Sequence, residues 1–314
     1  MHEYLKPAHE KVGKDRPEPA LRPLVTPVVA KIDQTGIDVT TKLYIGGKQV
    51  RPDGGQSYSV RGKGGEVIGH ASLASRKDVR NAVEAANKAS GWGGVTAHNR
   101  AQVLYFLAEN LDQRRAEFVS ALDRAGAVKK PEQEIDQTIR RAFWYAAQAD
   151  KFDGAVTSAK SRHVTMTVNE AYGTLGLVLS DEAPLLSLMS LILPAITLGN
   201  RVVAVASQSH PLIATRLYQV IETSDIPGGV INLLTGERDV LARTLAEHDD
   251  VAALWYCGSR EGSAMVENAS AGNLKPTWVD YGRLRDWHDP RQGQGEEFLR
   301  RACQVKTIWL PYGE

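Results

Sequence analysis

Apolar residues fall along this chain in two rhythms. Up to about residue 154 they recur mostly at helical spacing, and beyond it in short runs separated by helix-length segments. Leu43-Tyr44-Ile45 followed by Gly46-Gly47 predicts a hairpin, and Ser57-Tyr58-Ser59-Val60 a further strand before the glycine-rich turn at 62–65. Val79, Val83 and Ala86 then form one stripe behind Ser75, which has a capping-box partner in Asp78. Val103, Leu107, Leu111, Phe118 and Leu122 keep one period and predict a single long helix over 99–124. A third helix is expected over 131–152.

The second rhythm begins with His163-Val164-Thr165-Met166-Thr167-Val168, an alternating β-branched strand. Strands at 174–179, 201–206, 230–234 and 251–256 alternate with helices at 184–198, 211–222, 239–247 and 260–269. A fifth strand is expected at 277–280 and a last one at 304–310. Strands joined by crossover helices imply an α/β fold with a doubly wound, parallel, Rossmann-like sheet, whose ligands lie beyond the carboxyl ends of the strands.

Composition narrows the function classes. Lysines and arginines number 38 against 37 acidic residues, so the basic excess of a dedicated nucleic-acid binder is absent. Cys257 and Cys303 are the only cysteines, too few for a disulfide scaffold or a four-thiolate zinc site. The histidines form no His-x-x-x-His pattern, and no metal ligand is assigned. Residues 183–200 carry no charge but include Pro184 and Pro194, which reads as a buried helix and not a membrane span. Pro7, Pro17, Pro19, Pro23 and Pro27 make residues 1–40 an extended arm or linker, or else a disordered tail, with enough valine and isoleucine to lie partly on a surface. Met1 to Lys6 has no apolar signal core, so the expected compartment is the reducing cytoplasm.

At this point the residues resemble the aldehyde dehydrogenase superfamily over nearly the whole chain. Leu43-Tyr44-Ile45-Gly46-Gly47-Lys48 is similar to the family's opening hairpin, and Gly65-Glu66-Val67-Ile68 to the turn after it. Asn99-Arg100-Ala101 resembles the start of its long helix. The stretch from Gly173 through Pro184-Leu185-Leu186 to Gly199-Asn200 resembles the first strand and helix of its cofactor fold. Ile226-Pro227-Gly228-Gly229-Val230-Ile231-Asn232, Thr235-Gly236, Gly258-Ser259 with Glu261, and Val305-Lys306-Thr307-Ile308-Trp309 follow in the family's order. Glu3-Tyr4-Leu5-Lys6-Pro7 looks like the end of a preceding module. The chain therefore resembles the C-terminal, non-catalytic module of the two-module family 16 aldehyde dehydrogenases.

The resemblance implies a chemistry that can be checked by position. Aldehyde oxidation in that family uses a thiolate, an oxyanion hole, a general base and NAD. The thiolate belongs to a catalytic domain inserted after the fifth strand. Here only Tyr281 to Cys303, twenty-three residues, lie between that strand and the last one, too few for a domain with its own core. The inserted catalytic domain is thus expected to be missing. Cys257 stands where the family has threonine, and Cys303 beside the last strand; neither is the nucleophile. Cys257 reads as a redox-sensitive thiol or, by preference, as a small buried side chain.

The oxyanion-hole asparagine of the family falls at Glu182, whose carboxylate would repel an alkoxide; otherwise Glu182 reads as a solvated loop acid. The general base falls at Val279, with Asp280 facing the other way. The ribose-binding lysine falls at Val205 and a nearby glutamate at Gln208. Gly258 and Ser259, before a helix, remain as vestigial cofactor-binding candidates, although the same pair is ordinary capping. No catalytic residue is assigned, and no cofactor is expected to bind tightly, NAD being the cofactor of the parent protein.

Strands 163–168 and 304–310 need no chemistry. In the resembled family such strands oligomerise and extend a neighbouring module's sheet, so a preceding aldehyde dehydrogenase module and a homodimer are the expected partners, with Trp309 and Tyr312 as buried anchors. Alternatively the pair folds back to finish its own domain. The expected organisation is an arm at 1–40, a hairpin and helices at 41–157, oligomerisation-type strands at 158–170 and 303–314, the Rossmann-like domain at 171–282 and a short connection at 283–302. The expected function is a catalytically inactive, structural or dimerising module. Two further readings stay open: an NAD-dependent aldehyde dehydrogenase with a rearranged site, and a nucleotide-binding sensor without turnover.

Overall fold

Near-continuous apolar runs between helices fold as parallel strands buried on both faces. A computed structural model of the protein, which describes residues 28–29, 40–158, 160 and 162–311, has this architecture. Its main sheet holds seven strands in the order Thr277–Val279, Ala253–Tyr256, Thr174–Val178, Arg201–Val205, Ile231–Leu234, Leu43–Ile45 and Lys48–Val50. The first five are parallel, with Leu175 opposite Val202 on one side and Ala253 on the other. The chain's first parallel strand is central, so the winding reverses beside it.

Strand alternation sends successive side chains to opposite faces. Leu175, Leu177, Val202 and Ala204 pack with the helices Ala97–Gln113, Arg115–Ala125, Pro131–Gln148 and Pro184–Thr197. Val178, Val203 and Val205 face the helices Arg76–Lys88, Arg238–Glu247 and Arg260–Ser270. Ser75 and Asp78 form both halves of the capping box that starts the first of these.

The opening hairpin is not a separate appendage: Tyr44 pairs with Leu233 at the sheet's edge. Asn232, fully buried, fixes that junction. Its side-chain amide donates to the carbonyls of Val202 (3.1 Å) and Gly229 (2.8 Å), and its oxygen accepts from the Gly46 N–H (2.9 Å). The two backbones meet so closely that a Cβ on Gly47 would lie 2.7 Å from the Gly228 Cα.

Several expected boundaries are corrected. Residues 99–124 are two helices broken at Arg114, and Thr96 caps the first by accepting from the Asn99 N–H. The apolar period runs unbroken across Arg114, and no glycine or proline marks the break. The expected helix 211–222 divides at Arg216 into Pro211–Thr215 and Leu217–Glu222. The helix from Pro131 ends at Gln148. Residues 283–302 contain two short helices, Pro290–Gly293 and Glu296–Arg301, and bury Trp287, Phe298 and Leu299 in the main core. The strand His163–Ala171 pairs along its whole length with Cys303–Pro311 and, on its other side, with the unforeseen strand Ala155–Thr157. Of the Pro-rich arm, Val28–Val29 and Thr40 are described, and Val28–Val29 pairs with Gln56–Arg61. The rest of the arm, Tyr4 to Pro7 included, and Tyr312 lie outside the described residues.

All fourteen residues of Pro184–Thr197 are buried, and among the described residues no helix is long and apolar enough to cross a membrane. This helix begins at Ala183, in the left-handed region at φ 45°, with no capping side chain of its own. Glu134 of the neighbouring helix caps it instead: Oε1 accepts from the N–H groups of Leu185 (2.8 Å) and Leu186 (3.2 Å). One turn pair further along, Arg141 donates to Ser190 Oγ and to the Trp287 carbonyl.

Burial pushes the Glu134 carboxyl up to about 7, against the pull of the two N–H groups. The folded chain therefore keeps this proton to higher pH than the unfolded chain does. The associated stability is complete below about pH 4.5 and is lost as the pH rises to about 7, on the order of 3 kcal/mol. Glu134→Gln keeps an acceptor and cannot ionise. Urea unfolding between about pH 5 and pH 8 should lose less stability in the variant than in the wild type; equal slopes would contradict this role.

Candidate functional site

The reversal of winding opens a crevice at the carboxyl ends of Thr174–Val178 and Ala253–Tyr256, where loops from both halves of the sheet converge. Ser259 begins the helix Arg260–Ser270 and accepts from the Gly262 N–H (2.9 Å). The Gly258 N–H donates to Asp280 Oδ1 (3.1 Å), which also accepts from the Gly282 N–H (3.2 Å). Burial, the largest influence on Asp280, raises its pKa despite these two donors. The buried Tyr256 ring packs against this turn from the core: a Cβ on Gly258 would come within 2.5 Å of the phenol oxygen, and one on Gly262 within 1.8 Å. That phenol donates to Asp239 Oδ1 (2.6 Å).

A second carboxylate crosses the adjoining loops. Asp181 follows the first parallel strand and accepts from Ser207 Oγ (2.6 Å) and the Ser209 N–H (3.1 Å), both after the second. Its other oxygen meets Arg238 Nη2 (2.6 Å), after the third strand. Burial alone would raise the Asp181 pKa, but Arg238 and the two serines hold it at about 2. Gln208 completes the closure, its Oε1 accepting from the Arg238 N–H (3.1 Å).

Of the residues singled out in the sequence, Gly258, Ser259 and Asp280 come together, whereas the others disperse. Cys257 is a buried member of the sheet, its N–H donating to the Val178 carbonyl (2.9 Å). Burial first, and then the nearby Asp280, push its thiol up to about 12, which leaves almost no thiolate at neutral pH. Cys303 is buried at the start of the last strand, in a different sheet. Val205 and Val279 pack in the core on the Arg260–Ser270 face. Glu182 lies on the loop after the first parallel strand, half-buried in the wall of an open cleft with Lys129, Lys130 and Arg285. Among the described residues no three metal-ligating side chains gather.

Sequence reasoning missed Arg238, Tyr256 and the acceptor roles of Asp181 and Asp280. Arg238 lies 57 residues from Asp181, and no local spacing joins them.

The geometry agrees with comparison to known proteins. Residues 51–283 match the model of the aldehyde dehydrogenase family. The chain belongs to the aldehyde dehydrogenase family. Mouse cytosolic 10-formyltetrahydrofolate dehydrogenase is 32% identical over 77% of this chain, which covers 28% of that protein. The mitochondrial benzaldehyde dehydrogenase of Antirrhinum majus is 30% identical over 77% of the chain, covering 47% of its own length. Apo betaine aldehyde dehydrogenase from Staphylococcus aureus shares the fold, with a TM-score of 0.73 at 22% identity over 77% of this chain and 50% of that one. PnpE from Pseudomonas sp. WBC-3 superposes with a TM-score of 0.72 at 25% identity, over 76% and 50% of the two chains. The chain thus spans half or less of these relatives, in keeping with an aldehyde dehydrogenase fold short of one domain.

Within this fold the Asp181–Arg238 pair is partly exposed, so its loss should cost less than the 3–5 kcal/mol of a fully buried pair. Arg238→Ala is expected to destabilise the protein by about 2 kcal/mol near neutral pH. The loss should shrink toward about pH 4, because Asp181 without its counter-charge takes up a proton more readily. Thermal unfolding at the two pH values measures both effects.

Proposed function

We propose that this chain is a catalytically inactive aldehyde-dehydrogenase-like module that supports, by sheet completion or dimerisation, an active module in a longer polypeptide. The observation that carries the inactive half of this reading is the occupied crevice. A dinucleotide needs free N–H donors at a helix start and open space over the turn. In this chain the Gly258 N–H is already bonded to Asp280, Ser259 Oγ is taken by the helix cap, and the buried Tyr256 ring packs tightly against Gly258 and Gly262. These residues do not fit NAD. The family's oxyanion-hole and general-base positions fall at Glu182 and Val279, neither of which can do that work, and no reaction step is assigned to this chain.

The supporting role rests on the last strand. Cys303–Pro311 pairs on one side with His163–Ala171, and among the described residues its other edge has no partner. Val305, Trp309 and Leu310 on this strand are 62%, 56% and 47% exposed. Nine residues of open edge with apolar side chains are a template for strand addition. By the resemblance to family 16, its partners are a preceding aldehyde dehydrogenase module and a second copy of this chain, in the cytoplasm.

Three measurements test the reading. Calorimetry with millimolar NAD should give no binding heat, and mixtures of NAD with short aldehydes should yield no reduced cofactor. Saturable heat without turnover would favour a nucleotide sensor, and reduction abolished by Cys257→Ala an active enzyme. Light scattering should find a dimer that Val305→Asp with Trp309→Asp dissociates; a monomer in both cases would remove the dimerising role.

A further inference from the structure

The pairing of the last strand fixes which of its side chains share a face. Against His163–Ala171 the register runs from Cys303 opposite Ala171 to Pro311 opposite His163. Strand alternation then puts Val305, Thr307 and Trp309 on one face and Gln304, Lys306, Ile308 and Leu310 on the other. Apart from Cys303 at its start and the half-buried Ile308, the strand is exposed. Among the described residues its outer edge carries no further strand. The Trp309 indole is held in place by His163, whose ring it meets edge-on with centroids 6.0 Å apart.

Two copies that join by this edge obey a symmetry constraint. Antiparallel pairing of identical strands has a two-fold axis normal to the sheet, which keeps each face on its own side, so one residue stands opposite its own copy. The possible centres differ in what they bring together. Centred on Lys306, the pairing sets lysine directly against lysine, which is unfavourable. Centred on Ile308, it leaves Cys303 and Gln304 without a partner in the strand and sets Lys306 against Leu310. Centred on Thr307, it pairs all nine residues of the strand. It also sets Val305 against Trp309 of the second copy, and Trp309 against Val305 of the second copy, the aromatic and β-branched combination that neighbouring strands favour. Lys306 then faces Ile308 of the second copy. Its charge is met within its own chain by Glu170, 3.0 Å away, so each of the two lysines comes to the seam with a carboxylate. Pro311, which lacks an N–H, falls at the end of the strand and interrupts no pairing.

We propose that a second copy of this chain docks on the last strand, antiparallel about Thr307, so that the two three-stranded sheets run on as one. The proposal rests on the dimerising reading above and adds to it the occupant and the register. It differs from the arrangement implied by the resemblance, in which such a strand extends the sheet of a neighbouring module. A second copy is the occupant because the strand supplies both members of every pair from its own sequence.

Two measurements on the whole chain test this. Nitroxide labels are placed one at a time at Gln304→Cys, Thr307→Cys and Leu310→Cys, all exposed positions, the two native cysteines being buried. Spin coupling between the copies should be strongest at 307. Positions 304 and 310, equally far from the axis on either side, should give equal separations of about 20 Å, at about 3.4 Å per residue along the strand. In the second measurement, Val305→Glu and Trp309→Lys should each weaken the dimer about tenfold. The double variant sets opposite charges against each other across the axis and should regain most of the affinity. Within one chain the two positions are about 14 Å apart along the strand, so rescue reads the contact between copies. A dimer with its shortest separation at 304 or 310, or a double variant no better than either single one, overturns the register and leaves the dimerising reading standing. A chain that stays monomeric overturns both.

Discussion

A parallel sheet ends in a row of loops and helix starts whose N–H groups point into a crevice, and every such group needs an acceptor. In this protein several of these groups find their acceptors in its own side chains. Asp280 takes the Gly258 and Gly282 N–H groups, and Asp181 takes Ser207, Ser209 and Arg238. Leaving one buried donor unsatisfied costs about 1–3 kcal/mol. A site that must admit and release a ligand accepts that cost in the empty state or fills with water. Here the closure joins the loops after the first three parallel strands through Asp181 and ties the fourth to the fifth through Asp280.

The same logic governs the other exposed flank. Where the family's fold continues into a further domain, this chain has Tyr281 to Cys303. That segment covers the sheet with aromatic rings: its Phe298 meets Trp278 of the sheet's edge strand at 5.1 Å, and Trp278 in turn meets Trp255 of the next strand edge-on at 5.2 Å. Arg285 and Arg301 lie over Trp278, each within cation–π range. A short connection cannot supply a core of its own, but it can seal one that would otherwise face water.

The sheet and its helices were legible because burial on both faces writes long apolar runs into the sequence, and period alone separates them. Arg114 shows where period fails: the stripe from Val103 to Leu122 stays in phase although the backbone turns between two helices. Period also says nothing about which sheet a hairpin joins; Asn232 decides that through three bonds to residues near and far. The candidate site was legible mainly as what was missing. Glu182 and Val279 could be read as wrong side chains at known positions. Glu134, buried and capping a helix 51 residues away, gave no local signal. A charged residue in an amphipathic helix looks solvated until the partner helix is in place.

These features bear on one another. An enzyme of this fold has to leave its crevice open and its loops free enough to close on a substrate, which draws on local stability. In the inactive module proposed above that demand is absent, and the loops bridged by Asp181–Arg238 and by Asp280 act as struts. On the reading proposed above, rigid struts suit a module that docks through its edge strand. Strand addition aligns a long row of backbone donors and acceptors at once, so a strand held straight by nine paired residues loses less freedom on docking than a mobile one. In the reading proposed above, closure of the crevice and exposure of the strand are one design, with docking at the side of the last strand in place of binding at the ends of the parallel ones.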